Sequence, residues 1–416
     1  MHQPRAEAWS WNAVAWRLYE YAPAVLEDAA KRCSPFVLPW FALRVPVVML
    51  DGPSPYSGRP WAILMAGSQA AIDNIAHRYF ACPPQRETLG SRPLWKLPSI
   101  LKQLSASADL VIARVDRLSA RLFFHTNHLV VPEGVGSRLT VPEDPDKMTR
   151  MNHSLKADLR RIRRERLTAE LSHTEADFET FYHTMYVPYM QRRHGSLAFI
   201  RNLHNMHRAF RRGGILWVRC DGQRIAGNLF QQRDDVLNLL GVGTTGGDLR
   251  LMKEGASAAL YFFLIKYARE RRCTAIDFGS SPPALTDGLL RYKRKWGAQL
   301  SAQPLTYYDY LIQWERPSEQ VSDYLAHRAL IFRKQGQLAA VTALGSGRVA
   351  TPALARQIHH SLSIPGLQRL FVLLPNWDPS NGMLAQQALE PSSTDDESKV
   401  VFCNIDHFLQ EYGGVG

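Results

Sequence analysis

The residues best placed to do chemistry lie between Gly255 and Gly297, and one lysine stands out among them. In the run Gly288-Leu-Leu-Arg-Tyr-Lys-Arg-Lys-Trp-Gly297, a helix turning ~100° per residue from Leu289 keeps Tyr292, Lys293 and Trp296 on its apolar side and sends Arg291, Arg294 and Lys295 the other way. Lys293 is then the one cation of this run on the apolar face. Such a lysine either snorkels to nearby water or is held where its charge meets a particular anion. Ahead of it stand the strand-like Ile276-Asp277-Phe278 and the turn Gly279-Ser280-Ser281-Pro282-Pro283. Asp277 is better placed there to pair with a base or bond the turn than to act as a general base.

These groups need elements to hold them. From Ala256 onward Ala259, Leu260, Phe263, Leu264 and Tyr267 recur at helical spacing, which predicts a helix burying that face and showing Lys266, Arg269 and Glu270 to water. The strand Gly214–Cys220, the turn Asp221-Gly222, the strand Arg224–Gln231 and the strand Val236–Val242 precede it. They lead into Gly241-Val-Gly243-Thr-Thr-Gly246-Gly247, and amides exposed at a helix start attract anions. Farther upstream, Lys147–Leu167 predicts a helix with Leu155, Leu159, Ile162 and Arg166 towards its apolar side. Lys156, Arg160, Arg161, Arg163 and Arg164 cover the rest, either as a solvated face or as a surface that grips phosphate. Asp177–Tyr189 reads as an aromatic helix, and His194, His204 and His207 could titrate near neutrality.

Helix, Thr-Ala-Ile-Asp-Phe-Gly, Ser/Pro turn and Gly-Leu-x-x-Tyr-Lys-x-x-Trp-Gly together resemble the closing segment of the FemAB/CelD-like acyltransferases, over roughly residues 147–310. The resemblance implies a GNAT fold and aminoacyl transfer from aminoacyl-tRNA to an amine. It implies that Lys293 stabilises charge at the reaction centre, with Tyr292 and Trp296 beside the substrate. Ser154, Lys156, Arg160, Ile162 and Arg163 follow the family's order at the start of its second domain, so Lys156, Arg160 and Arg164 are expected on the substrate side. After Arg193-His194-Gly195, Phe199 and Arg201 resemble the family's aromatic and phosphate-contacting arginine, whereas His204 and Asn205 replace its usual tyrosine. Met252-Lys-Glu-Gly255-Ala-Ser257 stands where acetyl-CoA-dependent GNAT enzymes cradle pyrophosphate, with Met first and Ser last, which makes Gly255 and Ser257 the donor-loop candidates. The alternatives are a CoA-dependent N-acyltransferase using acyl-CoA, and a non-catalytic RNA- or phosphoglycan-binding protein. No tightly bound cofactor is expected.

The whole chain sets the frame. Its 416 residues suffice for two or three domains, and 45% hydrophobic with 21% charged residues is globular composition. Lys+Arg 50 against Asp+Glu 38 gives +12, which favours anionic partners such as RNA. The reading divides the chain into an N-terminal α/β subdomain (1–146), a GNAT-like domain (147–316) and a C-terminal α/β appendage (317–416), a tandem GNAT-like plan. In the first, Ala6–Arg32 reads as a helix and Gly134–Pro145 as a loop. Asp116-Arg117 reads as a turn before Arg121–His125, and Phe123-Phe124 and Val130-Val131 as strand. That would turn His125 and His128 to opposite faces, so no metal site is expected. Cys33, Cys82, Cys220, Cys273 and Cys403 form no C-x-x-C pair and read as buried small hydrophobes. The start lacks a signal-peptide pattern, and Pro35–Leu50 is broken by Pro39, Arg44 and Pro46, so a cytoplasmic protein without a transmembrane segment is expected.

Overall fold

The computed structural model describes residues 43–125, 127–150, 153–195, 198–303, 306–345, 350–375 and 399–414. Ala6–Arg32, Cys33 and Pro391–Ser398 lie outside them. The described residues fall into two compact units, each drawn from separate stretches of chain. The first takes 137–279 with 292–298, and the second 43–136, 280–291 and 299–414. Cuts after 146 and 316 coincide with neither unit.

The second unit is built on one ten-stranded sheet. Strands Arg44–Pro53 and Pro60–Ala66 pair antiparallel, and Leu110–Asp116 joins parallel to the second of them after the helix Gln69–Tyr79. Tyr308–Gln313 inserts between Leu110–Asp116 and Leu129–Pro132, and the sheet continues through Leu330–Lys334, Gln337–Ala343, Arg369–Leu374 and Lys399–Asn404. Residues 317–414 are thus not an appendage: Phe332, Val341, Phe371 and Phe408 share a core with Leu50, Ile112 and Tyr324. Asp309, 2% exposed, accepts from Arg117 Nε at 3.1 Å and Arg333 Nη1 at 2.7 Å, so a carboxylate too costly to bury alone ties one helix and two strands together.

The first unit carries the chemistry-bearing run. Its strands lie in the spatial order Val135–Thr140, Ala275–Ser281, Val236–Thr244, Gln223–Arg233, Gly213–Cys220, Thr168–Ser172. Asp221 and Gly222 take positive φ, 47° and 80°, which makes the tight hairpin the sequence predicts. The helix Ser257–Glu270 then crosses one face and returns as Ala275–Ser281, parallel to Val236–Thr244. Antiparallel hairpin, third strand, glycine-rich turn, helix and parallel strand is the GNAT-like order, and the fold class is α/β. The opposite face packs helix segments from Glu175 to His194 and Leu203–Phe210 around Phe178, Phe181 and Trp217. Between Phe181 and Tyr186 the helix widens into a π turn just ahead of Pro188, which has no N–H to donate. Gly243 is explained by closeness rather than by a loop: a Cβ there would stand 2.6 Å from the Met185 carbonyl carbon.

Several local expectations change. Residues 117–123 are helical, because the Asp116 side chain accepts from Ser119 N at 2.9 Å and caps a helix where a bare turn was expected. Within Gly134–Pro145, Val135–Thr140 is a strand, since its valine and leucine find a buried face. Within 317–416 the helix Glu319–Arg328 gives way at Ala329, in the left-handed region, to the strand Leu330–Lys334. Cys82 is exposed and Cys220 half-buried, while Cys273 and Cys403 are buried. No helix among the described residues is long and apolar enough to cross a membrane.

Candidate active site

The parallel strands Val236–Thr244 and Ala275–Ser281 pair only through Val236–Asn238 and Ala275–Asp277. Beyond that point the first strand stays laddered to its other neighbour through Thr244, with a bulge between Leu239 and Gly241. The second reaches Gly279 at φ +71°. The pairing between the two strands therefore ends at Asn238 and Asp277, although Gly279 still lies against Leu239, where a Cβ would stand 3.6 Å from the Leu239 carbonyl oxygen. The Asp277 carboxylate accepts from Gly279 N at 2.7 Å, the turn-bonding role favoured by its position.

Lys293 reaches the end of this pairing at Gly279. It is 2% exposed, among the largest fully buried side chains, and its Nζ donates to Gly279 O at 2.8 Å. Snorkelling is excluded. The face differs from the expected one, however: Leu289 is 37% exposed, and Leu290, Lys293 and Trp296 are the buried set. The helical phase is set by Asp287, whose Oδ1 caps Leu289 N and Leu290 N at 2.9 and 3.0 Å. An ammonium carried out of water loses several kcal/mol of hydration, about what a good carbonyl and a shaped site must return.

Aromatic rings cluster around Tyr261, which packs on Phe278 just before Gly279 and on the helix that carries Lys293. The Tyr261 ring lies 4.7 Å from Phe278, 5.2 Å from Tyr292 and 5.7 Å from Trp296. Tyr292 and Trp296 thus both meet Tyr261, a residue the sequence reading did not single out. Burial pushes the Tyr292 phenol up to about 12, with Ser257 and Trp296 pulling the other way, and burial raises Tyr261 as well. Both phenols stay protonated at neutral pH. The helix Ser257–Glu270 is buried more nearly all round than expected, with Phe262 and Ile265 deeper than Phe263 and Tyr267, because strands and a second helix both pack on it.

That second helix is the basic one, His153–Arg164. Leu155, Leu159 and Ile162 are buried, whereas Arg166 is exposed at φ 48°, beyond the helix end and off the apolar side. Lys156, Arg160 and Arg164 are exposed. Asp158 pairs with Lys295 Nζ at 2.5 Å, which ties this helix to the one bearing Lys293. Gly255 is buried at φ +119°, a conformation closed to other residues, inside the π turn Met252–Ala256. It is not an open cradle, because Arg161 covers it: a Cβ there would meet Arg161 Cδ at 3.1 Å, and Arg161 Nη1 donates to Lys253 O at 2.8 Å. Arg161 is the residue whose role spacing alone could not single out among five neighbouring cations.

Arg201 lies elsewhere on the unit, on the loop before Leu203–Phe210. Tyr182 Oη donates to its carbonyl at 2.9 Å and its own N–H donates to Tyr186 Oη at 3.0 Å, which leaves the side chain exposed. His207 pairs with Glu175 at 2.6 Å, a surface contact on that same face. Among the described residues no cluster of His, Cys, Asp and Glu could hold a metal ion.

No family model matches the chain, and no curated protein matches it. Among solved structures it is similar to L-PGS from Bacillus licheniformis, at 14% identity and TM-score 0.32, covering 68% of this chain and 89% of that one. It is similar also to FemX, at 12% identity and TM-score 0.34, over 63% and 83%. A GCN5-related N-acetyltransferase from Kribbella flavida gives 16% identity and TM-score 0.25, over 68% and 95%. The fold class stands on the strand order and connectivity given above.

Proposed function

We propose that the chain is an acyltransferase forming an amide bond, and that it moves an aminoacyl group from a charged tRNA to an amine. The observation that carries this reading is the inward ammonium of Lys293 at the point where the pairing of two parallel strands ends. In the reaction the amine nitrogen attacks the acyl carbonyl, the C–N bond forms, and the C–O bond to the ribose breaks. The proton lost by the amine ends on the leaving hydroxyl, through water or the ribose itself. Negative charge grows on the carbonyl oxygen, and a fixed positive charge in a low-dielectric site favours that state over the ground state. Backbone amides along the strand beyond Asn238 add donors to the same place. Positioning and electrostatics supply the rate, without a covalent enzyme intermediate.

Lys156, Arg160, Arg164 and Arg201 act in this reading as contacts for substrate phosphates, and Gly255 and Ser257 frame the donor end. Tyr292 and Trp296 form the apolar wall against which the acyl group rests. The Gly255 turn favours RNA over acyl-CoA as donor, because Arg161 fills the place at Gly255 where pyrophosphate would need bare amides. Radiolabelled aminoacyl-tRNA and acyl-CoA offered in parallel to the purified chain, with a panel of amines, test this. Transfer from the first donor alone is the expected result; transfer from acyl-CoA alone would replace the donor, and transfer from neither would remove the proposal.

A further inference from the structure

We infer that Asp277 is the positioning residue of Lys293: through Gly279 it fixes the carbonyl oxygen that holds the ammonium, and with it the place where the positive charge stands. This rests on the reading of Lys293 as the group that meets the growing negative charge, and it names the residue that keeps the group there. Three observations follow one another along the chain. The Asp277 carboxylate accepts from Gly279 N at 2.7 Å. Gly279 turns to φ +71°. Its carbonyl oxygen then accepts from Lys293 Nζ at 2.8 Å.

Each step has a physical reason. An aspartate that bonds the amide two residues on closes a small turn, and its ionised oxygen makes a stronger acceptor than a neutral one. Gly279 is needed for its backbone angle and not for room: a Cβ there would stand 3.6 Å from Leu239 O, an ordinary contact, whereas φ +71° is open to glycine at little cost. The paired strand up to Asp277 favours extended backbone, so the carboxylate is what bends the chain at this point. Lys293 is only 2% exposed, and the Gly279 oxygen stands in for part of its lost hydration, so displacing that oxygen displaces the charge. A second tie acts on the helix rather than on the oxygen, because Lys295 pairs with Asp158 at 2.5 Å. The other role open to Asp277, a base that takes the amine proton, requires its charge. Positioning requires only its acceptor oxygen, and asparagine separates the two.

The test uses the full chain and two readouts: single-turnover transfer from aminoacyl-tRNA, and labelling of Lys293 by trinitrobenzenesulfonate, followed by mass spectrometry. Asp277→Ala should slow transfer by about 10–100-fold with donor affinity unchanged, the cost of a reacting charge displaced by ~1 Å. It should also speed labelling of Lys293, relative to the exposed Lys156, by about tenfold, since a lysine released from its oxygen meets the reagent more often. Asp277→Asn keeps an acceptor for Gly279 N and should bring both readouts back to within about threefold of the wild type. Should Asp277→Ala melt below the assay temperature, Asp277→Ser, whose hydroxyl bonds the turn more weakly, takes its place with an intermediate loss. A wild-type rate or wild-type labelling in Asp277→Ala overturns the proposal. Asp277→Asn as slow as Asp277→Ala also overturns it, because the charge would then be the working part. Labelling that follows the series in a chain without any transfer sinks the acyltransferase reading alone; transfer that ignores the series sinks the positioning role alone.

Discussion

At the scale of single residues, the inward turn of Lys293 was legible because the pattern around it is strongly helical, and Leu289 was misplaced because the phase of an eight-residue helix depends on its cap. Asp287 could be assigned as that cap only once the turn before it was known. Other roles were invisible in sequence because they are made by partners far along the chain. Arg224 is the clearest example: it hydrogen-bonds Glu170 and Asp177 and lies 4.6 Å over the Trp217 ring. Its hydrogen bonds hold both carboxyls below the ordinary carboxylate range. A depressed folded pKa means that the unfolded chain binds more protons in that window, so the stability is present above the ordinary range and lost as pH falls through the depressed values. Urea midpoints followed downward from pH ~5 should therefore fall for the wild type. Arg224→Met should start lower at neutral pH and fall less steeply; identical slopes would contradict the assignment. On the alkaline side, burial raises the Tyr292 phenol to about 12, so its contribution is complete below the ordinary tyrosine value of ~10 and lost as pH rises through about 12. The difference in phenolate absorbance between wild type and Tyr292→Phe should titrate in that upper range. A difference centred near 10 would contradict the burial.

At the scale of elements, most strands and helices were readable, since periodicity reports which face is buried. The strand through Gly214–Cys220, the turn at Asp221-Gly222 and the strand from Val236 appear where the spacing puts them. What periodicity could not supply is the function of a glycine. Gly243 serves a close helix approach and Gly255 serves a φ of +119°, although both sit in one glycine-rich stretch. Gly255→Ala should accordingly lower stability by about 1–3 kcal/mol, through backbone strain and contact with Arg161. Chemical denaturation measures this, and a neutral substitution would show that the turn relaxes freely. Asp158→Asn should weaken the tie to Lys295 and lower the transfer rate more than donor affinity, because its partner Lys295 sits on the helix that carries Lys293. Loss confined to donor affinity would contradict this.

At the scale of the whole molecule, the α/β class followed from alternating elements and the positive charge from simple counting. The division of the chain was not legible. Sheet partners such as Tyr308–Gln313 and Leu110–Asp116 are far apart in sequence, and nothing local announces that they pair. One consequence is testable. A chain ended at residue 316 lacks the strands Leu330–Lys334, Gln337–Ala343, Arg369–Leu374 and Lys399–Asn404 of the ten-stranded sheet. It should lose cooperative unfolding and bind hydrophobic dye, as cores do when packing is lost. A sharp transition matching the full chain would restore the idea of a removable appendage.

The most direct test of the central claim is the single-turnover rate of aminoacyl transfer by wild type and by Lys293→Met, which keeps the volume of the side chain and removes its charge. With saturating aminoacyl-tRNA and retained fold, the variant should be slower by about 10²–10³-fold, the scale on which one donor to a developing oxyanion is felt. A folded Lys293→Met chain that transfers at the wild-type rate would contradict it.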